Sequence, residues 1–341
     1  MSDFFGLDIG THSIKVVQLR REKGKPVLVG YAVANSPPQV LKSEAEKDRK
    51  ALSTAIKDLL REAEIKTVNV VAALPEAKLF TGVVEFPKMS TKELASSLEY
   101  EAEQYLPTSV KDSSFDFEIV AERGDKMDVL LVAAPNALVN RYLAVLEGAG
   151  LTVLALEPET AACVRSLVGN SADSPPTLLV SIGASTTDLV IAERGKIKFA
   201  RSVATGGKAL GRAIAQAFGF EEEQAESYKR SYGLEGEELE GKIVEALKPI
   251  FKVIVEEMRR SLDFYHSRDR GTEVRRIILA GGSANLPGVV VYLASEFGLE
   301  VQLGDPWRGV TAGETFKRED LEEVGPSLAV AIGLALREVE E

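Results

Sequence analysis

Cysteine is nearly absent from this 341-residue chain: Cys163 stands alone, so no disulfide can form within it. That fits a reducing compartment and excludes a disulfide-built scaffold. Histidine is almost as scarce, with only His12 and His266, which argues against a zinc site built from His and Cys ligands. No stretch approaches the ~20 consecutive apolar residues that a membrane-spanning helix needs. The opening MSDFFGLDIG lacks the basic start and long apolar core of a secretory signal. Lys and Arg number 41 against 52 Asp and Glu, and the net charge of −11 opposes nonspecific binding to nucleic acid or anionic lipid. The remainder is ordinary: 45% hydrophobic and 27% charged residues, as in a globular protein. At about 150 residues per domain the length suggests two domains.

An internal repeat organises the chain. GLDIGTHSIKVV (6–17) and VSIGASTTDLV (180–190) each read as an apolar strand, a Gly with small hydroxyl residues, and a second apolar strand. A charged turn follows each, reaching Gly24-Lys25 and Gly195-Lys196, and then a third apolar strand. Both blocks are therefore expected to be three-stranded meanders.

Between and after them, helix and strand alternate. The pair Ser43 and Glu46 suggests a capping box for an amphipathic helix over 44–63, with Leu52, Ala55, Ile56, Leu59 and Leu60 on one face. Val68–Leu74 is a buried-type strand. Strands at 79–86, 115–122 and 128–134 and helices at 90–105 and 136–149 then suggest a small α/β subdomain inserted at about 76–152. The polar Ser171–Pro176 stretch reads as the boundary between halves. Helices follow around Leu210–Phe218 and Ile243–Tyr265, then a short strand at 277–279 and a final Ala- and Gly-rich helix at about 325–339. The expected divisions are a first-half core at 1–75 and 153–176, the insert, a second half at 177–325, and a returning helix at 326–341. The class is α/β with mixed sheets.

Phosphates bind where backbone N–H groups converge without obstruction, and hydroxyls and lysines add donors and charge. Gly10, Thr11, Ser13 and Lys15 suit this in the first turn; Gly183, Ser185, Thr186 and Thr187 suit it in the second. Asp8, just before the first turn, could hold Mg²⁺ through water. Gly206-Gly207 begins a helix, where N–H groups could meet a phosphate. Gly281-Gly282-Ser283, continuing through Asn285, follows a strand and would let a flat base and its sugar approach the backbone. Glu226 and Lys229 lie on one helix face, and by themselves also fit a surface ion pair.

Taken in order, these segments resemble the actin/Hsp70/sugar-kinase ATPase fold over nearly the whole chain. The resemblance implies a duplicated fold closing on ATP and Mg²⁺, with the Gly-Gly-Ser segment as adenosine motif. It also implies connecting helices at Glu157-Pro158 with Ala161-Ala162 and at Ser327–Leu336, and Glu226 and Lys229 at ribose and base. Within that superfamily the chain is most similar to the PilM family of type IV pilus assembly proteins. The carrying residues are FGLDIGT (5–11) with Ser13-Ile14-Lys15, EAEQYLP (101–107), Gly206-Gly207 with Ala225-Glu226 and Lys229, and Asp305-Pro306-Trp307. This resemblance implies a cytoplasmic protein recruited to the inner membrane by the N-terminal tail of the membrane protein PilN, with other pilus proteins or self-association as further contacts. The expected dock is the groove where the 76–152 insert meets the first-half core. One departure stands out. The family's second phosphate turn usually begins with Asp, and here that position is Ser181, with Asp188 further on. A hydroxyl supplies no negative charge, so at most weak ATP hydrolysis is expected.

Two alternatives share the fold. A small-molecule kinase would need a carboxylate base and an acceptor pocket, and no such segment is evident. An FtsA-like division filament protein would usually end in a basic amphipathic helix, whereas this sequence ends REVEE. Among isolated residues, Cys163 reads as a buried thiol, His12 as exposed, and Trp307 as a core residue or a partner-groove plug.

Overall fold

The computed structural model describes residues 3–38, 45–105, 109–169, 174–235, 241–268, 273–313 and 316–338. The chain opens with the expected meander, β1 (Phe5–Ile9), β2 (Ser13–Glu22) and β3 (Lys25–Asn35). Helix α1 (Glu46–Glu62) buries Leu52, Ile56, Leu59 and Leu60, the face its apolar spacing defines. Ser43 lies outside the described residues; the helix is preceded by Ala45, whose side chain makes no cap. Strand β4 (Asn69–Leu74) pairs parallel to β1.

The inserted stretch follows. A 3₁₀ turn at Glu76–Lys78 leads to β5 (Phe80–Pro87), α2 (Thr91–Glu101), β6 (Ser113–Arg123), β7 (Lys126–Pro135) and α3 (Asn136–Gly148). Ser90 and Glu93 form the expected capping box: Glu93 N–H donates to Ser90 Oγ at 3.3 Å, and Ser90 N–H to the Glu93 carboxylate at 2.9 Å. Leu106 and Pro107 lie outside the described residues. The three strands form an antiparallel sheet in the order β5-β7-β6, with its own core of Phe86, Leu94, Leu98, Met127, Val129 and Leu131. Helix α3 instead buries Tyr142, Val145 and Leu146 in the core that α1 and β4 share.

Strand β8 (Thr152–Pro158) and helix α4 (Glu159–Leu167) complete the first half, so Glu157 and Pro158 end a strand rather than open a helix. The second half runs β9 (Thr177–Ile182), β10 (Thr187–Glu193), β11 (Lys196–Val203), α5 (Gly207–Phe218), α6 (Glu222–Tyr232), α7 (Lys242–Arg268), β12 (Arg276–Ala280), α8 (Val289–Phe297), β13 (Glu300–Leu303) and α9 (Arg318–Ala335). Part of the 171–176 boundary segment lies outside the described residues, as do 339–341. Strand β13 had no counterpart in the sequence reading. Helix α9 begins seven residues before the expected start at 325, with Glu319 and Asp320 in its acidic first turn and Pro326 inside it.

The two large sheets have the same plan. Their orders are β3-β2-β1-β4-β8 and β11-β10-β9-β12-β13, each a meander extended by two parallel strands. A shared core of Val71, Ala73, Ala162, Val164, Leu179, Val190, Ile278, Ala329 and Leu334 fills the space between them. Helices α4 and α9 cross there so closely that a Cβ at Gly333 would collide with the Ala162 carbonyl. Cys163 is buried in this region as expected, and burial pushes its thiol far above the usual range. Trp307 is a core residue: its Nε1–H donates to the Leu321 carbonyl at 2.7 Å.

Candidate nucleotide cleft

The β1–β2 and β9–β10 turns have the same internal tie. Gly10 N–H donates to Ser13 O at 3.0 Å, and Gly183 N–H donates to Thr186 O at 2.9 Å. The tips of the two turns face each other, with Thr11 Oγ1 and Ser185 Oγ 2.9 Å apart. Of the hydroxyls expected to serve a ligand, Thr187 is committed elsewhere. It is buried and donates to Thr205 O at 2.7 Å, because the first residue of β10 points into the fold.

Gly206 and Gly207 also serve differently from the expectation. The N–H of Gly207 donates to Gly183 O at 2.8 Å, and that of Lys208 to Ala184 O at 2.9 Å. Two N–H groups at the start of α5, those of Gly207 and Lys208, are therefore spent on the second turn. Glycine is required because a Cβ at 206 would lie 2.6 Å from Gly183 O, and one at 207 would lie 2.5 Å from Ser283 Oγ. This close approach brings the second turn, α6 and the Gly281-Gly282-Ser283 loop together.

In that loop Gly281 has φ +86° and would place a Cβ 2.5 Å from Ile182 O, whereas a Cβ at Gly282 would meet nothing within 4 Å. Gly282 thus faces open space. Asn285, expected to face a ligand, donates its side-chain N–H to Glu323 O at 2.7 Å and ties the loop to α9. Glu226 and Lys229 are not a simple surface pair. Lys229 is buried, with Nζ 2.6 Å from Glu226 Oε2 and 3.2 Å from Gly207 O. Arg230 Nε–H donates to the other Glu226 oxygen at 3.0 Å. Burial opposes ionisation of Glu226, but Lys229 and Arg230 hold its carboxyl below the ordinary range.

The cleft floor is acidic. Asp8 and Lys15 are cross-strand partners and form a buried ion pair at 2.7 Å. Asp188 lies directly opposite Ser181 across the β9–β10 pair, so both side chains share one face. It accepts a hydrogen bond from Ser202 Oγ at 2.5 Å. Burial, opposed by that bond and reinforced by Glu76, raises Asp188 to about 7. Glu159, which opens α4, is pushed well above the carboxylate range by burial and then by Asp188 and Asp8, with Lys15 opposing. Glu76 is buried and accepts from Thr160 Oγ1 at 2.7 Å. The buried Tyr142 hydroxyl has no hydrogen-bond partner among the described residues, and Glu159 and Asp8 are charges that act on it. Glu157 lies outside this group, held by Arg165 at 2.6 Å and by Arg337.

This donor set suits a hydrated Mg²⁺. Oxygen ligands dominate, the raised carboxyls of Asp188 and Glu159 would be relieved by a cation, and Mg²⁺ keeps most of its waters. Among the described residues no cluster of three or more His, Cys, Asp or Glu could chelate a metal directly. Sequence reasoning missed Glu159, Tyr142, Glu76 and Lys208. Lys208 had a readable signal, a lysine directly after the glycine pair that opens a helix; the others had none.

The comparisons with known proteins agree with this architecture. Residues 6–339 match the family model described as type IV pilus assembly protein PilM. A solved "PilM-PilN type IV pilus biogenesis complex" superposes with a TM-score of 0.88 at 31% identity, covering 100% of this chain and 99% of that one. The cell division protein FtsA of Streptococcus pneumoniae serotype 2 is 24% identical over 89% of this chain and 75% of its own length. MreB5 of Spiroplasma citri, solved bound to AMPPNP, shares the fold with a TM-score of 0.53 at 15% identity, covering 98% and 95% of the two chains.

Proposed function

The chain belongs to the type IV pilus assembly protein PilM family, and from that membership we propose an ATP-binding assembly scaffold that docks on the cytoplasmic tail of a PilN-like membrane protein. The full-length likeness to a PilM that was solved with PilN carries this reading. It favours a scaffold over a small-molecule kinase. Among the described residues no helix is long and apolar enough to cross a membrane, so a partner tail would supply the attachment to the inner membrane.

ATP would lie between the two turns. Its phosphates would face Gly10, Thr11, Ser13, Gly183, Ser185 and Thr186, and its adenosine would lie over Gly281-Gly282-Ser283, with Glu226 and Lys229 at the sugar and base. Mg²⁺ would be held through water by Asp8. Ser181 leaves the second turn without its own carboxylate, and Asp188 brings one to the same face from the neighbouring strand. Turnover is therefore expected to be slow, since the Ser181 hydroxyl supplies no negative charge where the second turn begins.

For the tail, we favour the groove between the inserted sheet and the first-half core. β5 and β6 are the outer strands of that sheet; each meets the second half at one carbonyl, Val83 O with Arg268 and Val120 O with Lys198, and an extended peptide would gain main-chain hydrogen bonds along the rest of an edge. The test is co-sedimentation with vesicles displaying the tail. The protein should pellet with tail-bearing vesicles and stay in solution with bare ones. Equal recovery from both would overturn the docking reading.

A further inference from the structure

Among the described residues three lysines approach the two glycine turns, and two of them are already engaged. The Lys15 ammonium is 2.7 Å from Asp8 Oδ2, and both side chains are largely buried. Its charge is therefore already neutralised where it stands. Lys229 is buried between Glu226 and the Gly207 carbonyl. Lys208 differs from both. It is exposed in the first turn of α5, and among the described residues its ammonium has one polar contact, the Thr11 carbonyl at a long 3.4 Å.

That contact crosses from the second half to the tip of the first turn. The Lys208 N–H is at the same time bonded to Ala184 O in the second turn. One residue therefore touches both turns, by its backbone on one side and its ammonium on the other. The turns themselves are one hydrogen bond apart at Thr11 and Ser185. His12, next to Thr11, has its pKa lowered by partial burial and then by Lys208; Arg230 and Lys229 act in the same sense and Glu226 opposes them. Positive charge thus converges on this edge of the cleft in a chain whose net charge is −11. A neutral carbonyl is a weak partner for an ammonium, and phosphate oxygens form stronger, charge-assisted bonds.

We propose that Lys208, rather than Lys15, supplies the mobile cation that grips the β- and γ-phosphates of a nucleotide lying between the turns. The proposal rests on the nucleotide reading above and assigns its phosphate-tail selectivity to one side chain. Lys208 leaves the Thr11 carbonyl, binds the phosphate tail and holds the second half against the first.

The experiment is titration calorimetry of the full chain with Mg-ATP, Mg-ADP and AMP, using wild type, K208Q and K208R. Lys208 is exposed, so melting curves should show both variants folded. Wild type should prefer ATP to AMP. K208Q should weaken ATP about tenfold, the scale of one charge-assisted contact, and leave AMP within about twofold. K208R should keep most of the preference. A K208Q protein with undiminished preference for ATP over AMP would overturn the assignment, as would a wild type that binds all three alike. A folded wild type that binds none of them would remove the nucleotide reading itself, and this assignment with it.

Discussion

Gly282→Leu separates folding from nucleotide binding at a single position. A Cβ at Gly282 meets no atom within 4 Å, and its φ is not in the left-handed range. The substitution should therefore change stability by no more than about 0.5 kcal/mol, as at an ordinary surface site. Its neighbour offers the contrast: at Gly281, φ is +86° and a Cβ would lie 2.5 Å from Ile182 O, so alanine there is strained as well as crowded. The leucine side chain at 282 would fill the space through which a base must approach the loop. ATP at about 100 times its dissociation constant stabilises a binding-competent fold by about 2.7 kcal/mol. At roughly 2 °C per kcal/mol for a chain of this size, the melting temperature should rise by about 5 °C. Thermal melts with and without Mg-ATP read both quantities. Gly282→Leu should melt near wild type without nucleotide and show no rise with it. A variant that keeps the full ATP-dependent rise would refute the placement of adenosine over this loop.

Other outcomes follow from the same geometry. Gly333→Ala puts a methyl against the Ala162 carbonyl where α4 and α9 cross; urea unfolding should show a loss of about 3 kcal/mol, the upper end for an overpacked core, and an unchanged midpoint would contradict the crossing. The folded pKa of Asp188, about 7, exceeds its unfolded value. Its contribution is fully present below about pH 4 and is lost as pH rises through about 7. Asp188→Asn should flatten the decline of stability with pH across that window, and an unaltered slope would exclude Asp188 as its cause. Ser181→Asp would place a second carboxylate opposite Asp188 and should raise Mg-dependent ATP turnover; a wild-type rate on the order of 1 s⁻¹ or more, typical of working enzymes, would contradict the expected weakness.

The duplicated sheets were legible because each meander carries a glycine turn flanked by apolar strands. The Asp8–Lys15 pair was half legible: both residues were singled out, but that they neutralise each other depends on the register of β1 with β2. Thr187 and Asn285 show the limit. Their residue types suit a ligand, yet Thr205 O and Glu323 O take their donors, and those partners lie on distant segments. Strand β13 is four residues long, and its Glu-Val-Gln-Leu alternation is too short to stand out. The Ala- and Gly-rich stretch marks only the later part of α9, whose acidic first turn begins at Arg318. Glu159, Glu76 and Tyr142 come to the cleft floor from separate elements, and sequence spacing carries no trace of that convergence.

Docking of a PilN-like tail is tested most directly by amide hydrogen exchange on the full chain, with and without a peptide of that cytoplasmic tail. Protection is predicted in the edge strands of the inserted sheet, β5 or β6, and in the first-half core beside them, with none in the 281–291 loop and helix. A folded, ATP-binding chain that gains no protection from saturating peptide, or gains it only in α5–α8 of the second half, would contradict the account.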